Sequence, residues 1–393
     1  MMGTAKFRIL PLTGNSAIAE AMRQINPDVV AAYPITPQTS IVEDYAEFVA
    51  NGVVDTEMVR VESEHSAMSA CIGAAMAGAR TMTATCSAGL ALMWEMLGIA
   101  SGLRCPIVMP VANRALSAPI NIHCDHSDAM GARDTGWIQI YNETAQEAYE
   151  AVFLALRLAE HKEVQLPVMV CEDGFITSHC VQNVRIYDDD VMRKFAGARK
   201  PEFSLLDLKA PITVGAIELQ DYYFESKRQQ EEAMKSALKA YLEAGRELSG
   251  ITGNHYPYFE KYRMDDADAV IVTMSSAAGT TKAVIDRMRE DGRKVGLLKL
   301  RLFRPFPYDA VASALEGVKY VGVLDRSMSF GANAPLFSEI MNSLSGVAKK
   351  PGLQSYVFGL GGRDLLESHV EHVFNELLQG SISKETRYPG LRQ

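Results

Sequence analysis

One rhythm constrains this chain more than any single motif. From its start to about residue 175, short β-branched apolar runs alternate with longer Ala- and Met-rich stretches of helical period. Such runs read as strands buried on both faces, and parallel strands need helical crossovers between them. The pattern predicts an open, mainly parallel α/β sheet. Strands are expected at Val29–Tyr33, Met58–Val61, Thr81–Thr85, Ile107–Val111 and Pro167–Cys171. Helices are expected at Ile41–Ala50, His65–Gly78, Leu90–Ser101 and Ala145–Ala159.

The rhythm stops near Asp221. The stretch from Asp221 to Gly250 is rich in helix formers and charges, with Gly250 and Gly253 at and beyond its end. It predicts a long, partly solvated connecting helix. After Asp265 the alternation returns, with strands at Ala269–Thr273, Val295–Leu300 and Tyr320–Leu324 and helices near Thr281–Glu290 and Pro335–Leu344. The expected organisation is a first domain over 1–220, a helical connector over 221–264 and a smaller α/β domain over 265–393. With 393 residues, 48% of them hydrophobic, the chain can bury two cores.

Charge and cysteine usage exclude several functions. A net charge of −9 lacks the basic footprint of sequence-independent nucleic-acid binding, so no nucleic-acid partner is expected. The start, MMGTAKFRIL, has no apolar leader core, and no apolar run approaches a membrane span. A cytoplasmic protein without a membrane partner is expected. All six cysteines fall in the first half with no CxxC pair, so no iron–sulfur cluster of its own is expected.

Three segments could carry chemistry. AAYPITPQTS (Ala31–Ser40) leaves a strand and turns through two prolines, placing Thr36 and Thr39 at the carboxyl edge of the sheet, where open α/β folds bind ligands. A Pro-ordered turn with Thr39 or Ser40 capping the next helix accounts for the same residues without a ligand. VRVESEHSAMSACIGAAMAGA (Val59–Ala79) is a strand, two carboxylates and a helix of small residues. Capping suffices to explain Glu62 or Glu64. The sharper alternative is a carboxylate held at a dry subunit junction, sharing a proton with a ring nitrogen of a cofactor. Small residues such as Ala67, Ala70 and Gly73 would let another chain approach closely.

The third segment, Val111–Tyr141, is a polar loop rich in His and Asp after an apolar strand. Arg114 lies just past that strand, where a planar guanidinium can grip a carboxylate with two prongs or form a structural salt bridge. His123, Cys124, Asp125, His126 and Asp128 have ligand-type atoms, but their spacing fits no familiar zinc pattern, and no metal site is assigned. HxxH recurs at His369 and His372 in an expected exposed helix. GxGxxG, GxxxxGK[ST] and a GDG with a downstream Asn are absent.

Taken together, the chain resembles the alpha subunit of pyruvate:ferredoxin oxidoreductase and its 2-oxoacid:acceptor relatives. The likeness rests on YPITPQT (Tyr33–Thr39), ESEHSA (Glu62–Ala67), NRALSAPINIHCDHSD (Asn113–Asp128), RDTGWIQIY (Arg133–Tyr141), DYYFESKRQQ (Asp221–Gln230), LRLFRPFP (Leu300–Pro307), VLDRS (Val323–Ser327) and FGLGGRD (Phe358–Asp364). The resemblance implies a pyrimidine-type thiamine-diphosphate-binding domain followed by a transketolase-C-terminal-like domain. It implies that thiamine diphosphate is shared with a beta subunit, which carries the Mg²⁺ and diphosphate motif and iron–sulfur ligands. Gamma and delta subunits, the latter with two [4Fe-4S] clusters, ferredoxin as acceptor and coenzyme A as co-substrate complete the expected machinery. By position, Glu64 matches the carboxylate that bonds the aminopyrimidine ring. Pro34, Ile35 and Thr36 match the cofactor-facing turn, and Thr36 and Arg114 match residues near the substrate's carbonyl and carboxylate. Asp128 and Arg133 are candidates for orienting Arg114 or closing the pocket.

Three readings compete. The first is a subunit oxidising pyruvate or, with the same machinery, an aromatic or branched 2-oxoacid. The second is a free-standing metal-dependent lyase or hydrolase built on His123, Asp125 and His126. The third is a docking subunit that keeps the fold without the chemistry.

Overall fold

The structure, a computed structural model, describes residues 5–392. Its largest sheet has seven strands, in the order Leu302–Arg304, Ile138–Asn142, Val168–Asp173, Val108–Asn113, Thr81–Met82, Val29–Ala32 and Glu57–Arg60. All neighbours are parallel except Leu302–Arg304, which adds antiparallel at the edge. The central strands Val108–Asn113 and Val168–Asp173 are buried along their whole length, which explains their unbroken apolar runs. A second sheet orders Gly352–Val357, Tyr320–Asp325, Ala269–Met274, Val295–Leu300 and Phe259–Tyr262, the last antiparallel. Phe7–Leu12 and Gln182–Tyr187 form a separate antiparallel pair.

Two apolar clusters show how the layers join. One packs the helix Ala145–Ala159, through Tyr149, Val152 and Phe153, with the helix Gly14–Ile25 and the connecting helix. The other runs from Met68, Leu97, Met109 and Trp137 in the first half to Val272, Leu298 and Phe303 in the second, so the two sheets share a core.

Local differences from the sequence reading have physical causes. The stretch expected as one helix over Leu90–Ser101 is two, Ser87–Leu92 and Trp94–Gly102, broken at Met93. No Gly or Pro marks the break; it lets Leu90, Met93 and Leu97 all point into the same core. The strand expected over Thr81–Thr85 is regular only to Met82, after which Thr83 still donates to the Val108 carbonyl (3.3 Å) and an isolated bridge joins Thr85 to Val111. The connecting helix is Tyr223–Thr252, with Ala233, Ala237, Ala240, Tyr241, Ala244 and Leu248 buried on one face. His369 is half-buried and His372 exposed on the helix Glu367–Leu378, whose apolar face seats Val370, Val373 and Phe374. Among the described residues, no helix is long and apolar enough to cross a membrane.

Candidate cofactor and substrate site

Four chain segments leave the carboxyl edge of the large sheet side by side, and the strands Val29–Ala32, Glu57–Arg60, Thr81–Met82 and Val108–Asn113 deliver them. The first is the Pro34–Pro37 turn. Gln38, fully buried, donates through Nε2 to the Ala84 carbonyl (3.0 Å) and accepts the Ile35 N–H (3.2 Å). Asn15 donates to the Pro37 carbonyl (2.7 Å). These two amides hold the turn so that Pro34 and Thr36 stay exposed and Ile35 half-buried.

Arg114 closes over this turn. Its Nε donates to the Asn121 carbonyl (3.0 Å) and its Nη1 to the Thr36 carbonyl (2.8 Å). The residue is only 7% exposed, yet among the described residues no carboxylate pairs with its guanidinium. A buried cation without a counter-charge is costly, so such a fork, fixed by two neutral carbonyls, is poised for an external anion. Asp128 supports it from behind. Its carboxylate accepts N–H groups from Arg114 (3.0 Å), Ser87 (2.9 Å) and Ala129 (2.7 Å), and the Asn113 side-chain amide (2.8 Å). Burial pushes the Asp128 carboxyl upward despite these donors. Arg133 bonds the Met130 carbonyl, sits beside Asp134 and lines a cavity with Ala115 and Asn121, and among the described residues it makes no hydrogen bond to Arg114.

Glu64 opens the helix Glu64–Met76, whose cap Ser63 accepts the Ser66 N–H through its hydroxyl. The first turn of a helix favours a carboxylate. Glu64 is 5% exposed, and among the described residues its carboxylate makes no hydrogen bond within the chain. The wall in front of it is Gly89, where a Cβ would lie 2.5 Å from Glu64 Oε1 and 2.6 Å from Thr85 Oγ1. The Thr85 hydroxyl is itself buried without a partner. Gly89 donates its N–H to the Cys86 carbonyl, and Cys86 Sγ lies 3.2 Å from the Thr36 carbonyl. Burial raises the Cys86 thiol to about 12, so it stays protonated. Thus Thr36 and Arg114 meet directly, and Glu64 reaches them through one short segment, Thr85–Gly89.

Sequence reasoning passed over Gln38, Asn15, Asn121, Thr85 and Gly89, whose roles arise from neighbours far along the chain. Among the described residues, His123, Asp125 and His126, on which the competing metal-enzyme reading is built, do not gather as one ligand set. The His123 ring lies against Phe175, Asp125 accepts the Ser127 N–H and hydroxyl, and His126 Nε2 bonds Asp173 (2.7 Å). Cys124, His126 and Asp173 do gather, but Arg326 Nη1 stands 3.3 Å from Asp173 and supplies the positive charge there. Burial alone would raise Asp173; Arg326 and His126 hold it below the usual carboxylate range.

The comparisons with known proteins fit this geometry. Residues 20–245 match the family described as "Pyruvate flavodoxin/ferredoxin oxidoreductase, thiamine diP-bdg", and residues 267–370 match "Pyruvate:ferredoxin oxidoreductase core domain II". The chain belongs to the pyruvate:ferredoxin oxidoreductase family, as an alpha-type subunit of an oxidoreductase. Among its relatives, the pyruvate synthase subunit PorA of Thermotoga maritima is 57% identical over 97% of this chain and 98% of its own. The ketoisovalerate oxidoreductase subunit VorA of Pyrococcus abyssi is 42% identical over the same shares. In fold, the chain is similar to a 2-oxoglutarate:ferredoxin oxidoreductase from Magnetococcus marinus solved with 2-oxoglutarate, coenzyme A and succinyl-CoA. The TM-score is 0.75 at 20% identity, over 94% of this chain and 65% of that one. A split-gene transketolase is similar at TM-score 0.56 and 11% identity, over 94% of this chain and 99% of that one. The architecture is therefore a thiamine-diphosphate-binding α/β domain followed by a transketolase-C-terminal-like domain.

Proposed function

We propose that this chain supplies the aminopyrimidine side of a thiamine diphosphate site and the carboxylate clamp of a complex that oxidatively decarboxylates pyruvate, or runs that reaction in reverse. The observation that carries the reading is that the same sheet edge holds a buried carboxylate, Glu64, and a buried guanidinium, Arg114, and that among the described residues the first has no hydrogen-bond partner and the second no carboxylate partner. The open carboxylate, the orphaned Thr85 hydroxyl and the missing side chain at Gly89 fit a flat heteroaromatic ring laid against them. When bound, thiamine diphosphate supplies a nucleophilic carbon and an electron sink for loss of carbon dioxide. Glu64 holds and moves a proton at a pyrimidine ring nitrogen. Pro34, Ile35 and Thr36 form the cofactor-facing turn, Thr36 lies beside the substrate carbonyl, and Arg114 receives its carboxylate.

The diphosphate, with Mg²⁺ and the [4Fe-4S] clusters, is assigned to beta- and delta-type partner subunits, with a gamma-type subunit beside them. Coenzyme A takes up the acyl group and ferredoxin the electrons. A cytoplasmic setting suits the six unpaired cysteines, five of them buried.

The test is a panel of 2-oxoacids given to the assembled complex with coenzyme A and ferredoxin. Pyruvate should have the highest kcat/KM. A branched or aromatic 2-oxoacid turned over preferentially would move the assignment to the alternative substrate, and no 2-oxoacid activity at all would end it.

A further inference from the structure

Between the helix ending at Ala196 and the connecting helix beginning at Tyr223, the chain runs about 25 residues without regular structure. A solvated linker of this length would be polar. This one is not. Phe203, Leu205, Leu206, Leu208, Ile212, Ile217, Leu219 and Tyr222 all expose much of their side chains, with Leu206 at 75%, Leu208 at 90% and Ile217 at 91%. Ala210 to Ile217 contains no charged residue. Tyr223 and Phe224 extend the apolar surface into the first turn of the helix.

The strap is nevertheless anchored. Arg199 Nε donates to the Gly78 carbonyl (3.0 Å), the Ser204 hydroxyl to the Ala77 carbonyl, and the Leu205 N–H to the Met76 carbonyl (3.0 Å). Val214 packs into the cluster that holds Met68, Ile72, Leu97 and Ala100. At the far end, Lys227 comes beside Gly102. The strap therefore starts at the C-terminus of the helix Glu64–Met76, and the connecting helix after it passes the C-terminus of the helix Trp94–Gly102 at Lys227. In between, Val214 lies on the core shared by these two helices, which carry Glu64 at one tip and expose Trp94 and Ile99, with Leu92 exposed on the helix before them.

Together these side chains expose on the order of 1,000 Å² of apolar surface, beyond what a monomer usually leaves open and near the size at which specific interfaces begin. The occupant follows from the shared helix, which anchors the strap at one end and holds Glu64 at the other, with exposed Trp94 and Ile99 on the helix packed beside it. We propose that the strap 198–222 is a docking arm for the chain that completes the thiamine diphosphate site, a protein carrying a phosphate cradle and a divalent cation. The arm lies along the partner as that partner closes over Glu64. This inference rests on the reading of Glu64 given above, and it adds the surface on which the partner is held.

The test uses the full chain and its beta-type partner, with assembly measured by sedimentation rather than by turnover. Leu206→Asp, Leu208→Asp and Ile217→Asp are combined in one variant, whose isolated chain should unfold at the parental temperature because all three side chains are exposed. Its affinity for the partner should fall about 100-fold or more. Parental affinity would overturn the proposal. So would an isolated parent chain that self-associates through the strap while the variant, now monomeric, still captures the partner. Hydrogen exchange in the parent gives a second readout that needs no variant. Amides of 205–219 should slow on assembly, and unchanged exchange would contradict the arm. Glu64→Gln separates the two readings, since it should abolish turnover and leave assembly at the parental affinity.

Discussion

Arg114 is an arginine for a geometric reason. Two carbonyls, from Asn121 and Thr36, fix the plane of its guanidinium, and a lysine ammonium cannot be held by both while still presenting a second prong. Arg114→Ala in the assembled complex should cost about 100-fold or more in kcat/KM, corresponding to a charge-assisted pair of roughly 3 kcal/mol. Arg114→Lys should act mainly on KM. Parental kcat/KM for every 2-oxoacid in the alanine variant would make Arg114 a structural residue. Glu172 makes a different prediction. Both its carboxyl oxygens are buried without partners, against the start of the helix Gly14–Ile25, and burial raises the group to about 8. Its folded value lies above its unfolded one, so the stability it contributes is complete below the ordinary carboxylate range and is lost as pH rises toward 8. Denaturant unfolding from pH 5 to 8.5 should show Glu172→Gln losing less stability than the parent, by up to about 1.4 kcal/mol per pH unit. Parallel curves would refute the neutral carboxyl. Thr36, Glu64 and Arg114 stand out as candidates in the sequence because they sit in contiguous motifs, YPITP, ESEHSA and NRALSAP. Gln38 and Thr85 were not, because an amide or a hydroxyl in a turn acquires meaning only from the strand beside it.

At the scale of elements, strands were easier to read than breaks. Val295–Leu300 and Ala145–Ala159 occur as the sequence predicts, since full burial and a strong helical stripe leave one solution each. The break at Met93 could not be read, because it answers to the core beneath it and not to a local breaker residue. The Leu302–Arg304 strand was likewise hidden, for it leaves the second half of the chain to pair with Ile138–Asn142. The break has a consequence. It lets the helix Ser87–Leu92 bring Gly89 against Glu64. Gly89→Ala would place a methyl carbon 2.5 Å from the Glu64 carboxylate, with the Thr85 hydroxyl as close on the other side, so the carboxylate must move. Alanine favours the helix, but crowding of this buried cradle opposes that gain, so thermal unfolding should show a modest loss of stability, with the variant still folded at the assay temperature. Turnover in the complex should fall about tenfold or more, in keeping with the sensitivity of catalysis to small misplacements. Full activity would show that the cradle has room to spare.

The whole molecule is built around the sheet edge that carries the candidate site. Its two sheets share one core, and the His126–Asp173–Arg326 network ties the end of the strand Val168–Asp173 to the chain after Tyr320–Asp325. The loop from Arg114 to Asp128 is thereby clamped between the halves, with Gly361 and Gly362 packed on Asn121 and His123. That long-range closure explains why side chains of ligand type in this His- and Asp-rich loop are taken up, in space, by hydrogen bonds and packing between the two halves. In the proposed reading, the rigid loop supports the site from the inside and the apolar strap lies outside it, where a second chain would complete the surface beside Glu64. The central role proposed for Glu64 is that of a proton carrier to thiamine. Deuterium exchange at thiamine C2, followed in complexes assembled from the parent chain and from Glu64→Gln at equal cofactor occupancy, measures that role without requiring a substrate. Exchange should slow by about 100-fold or more in the variant, the range removed with a general acid–base group. Exchange at the parental rate would contradict the account.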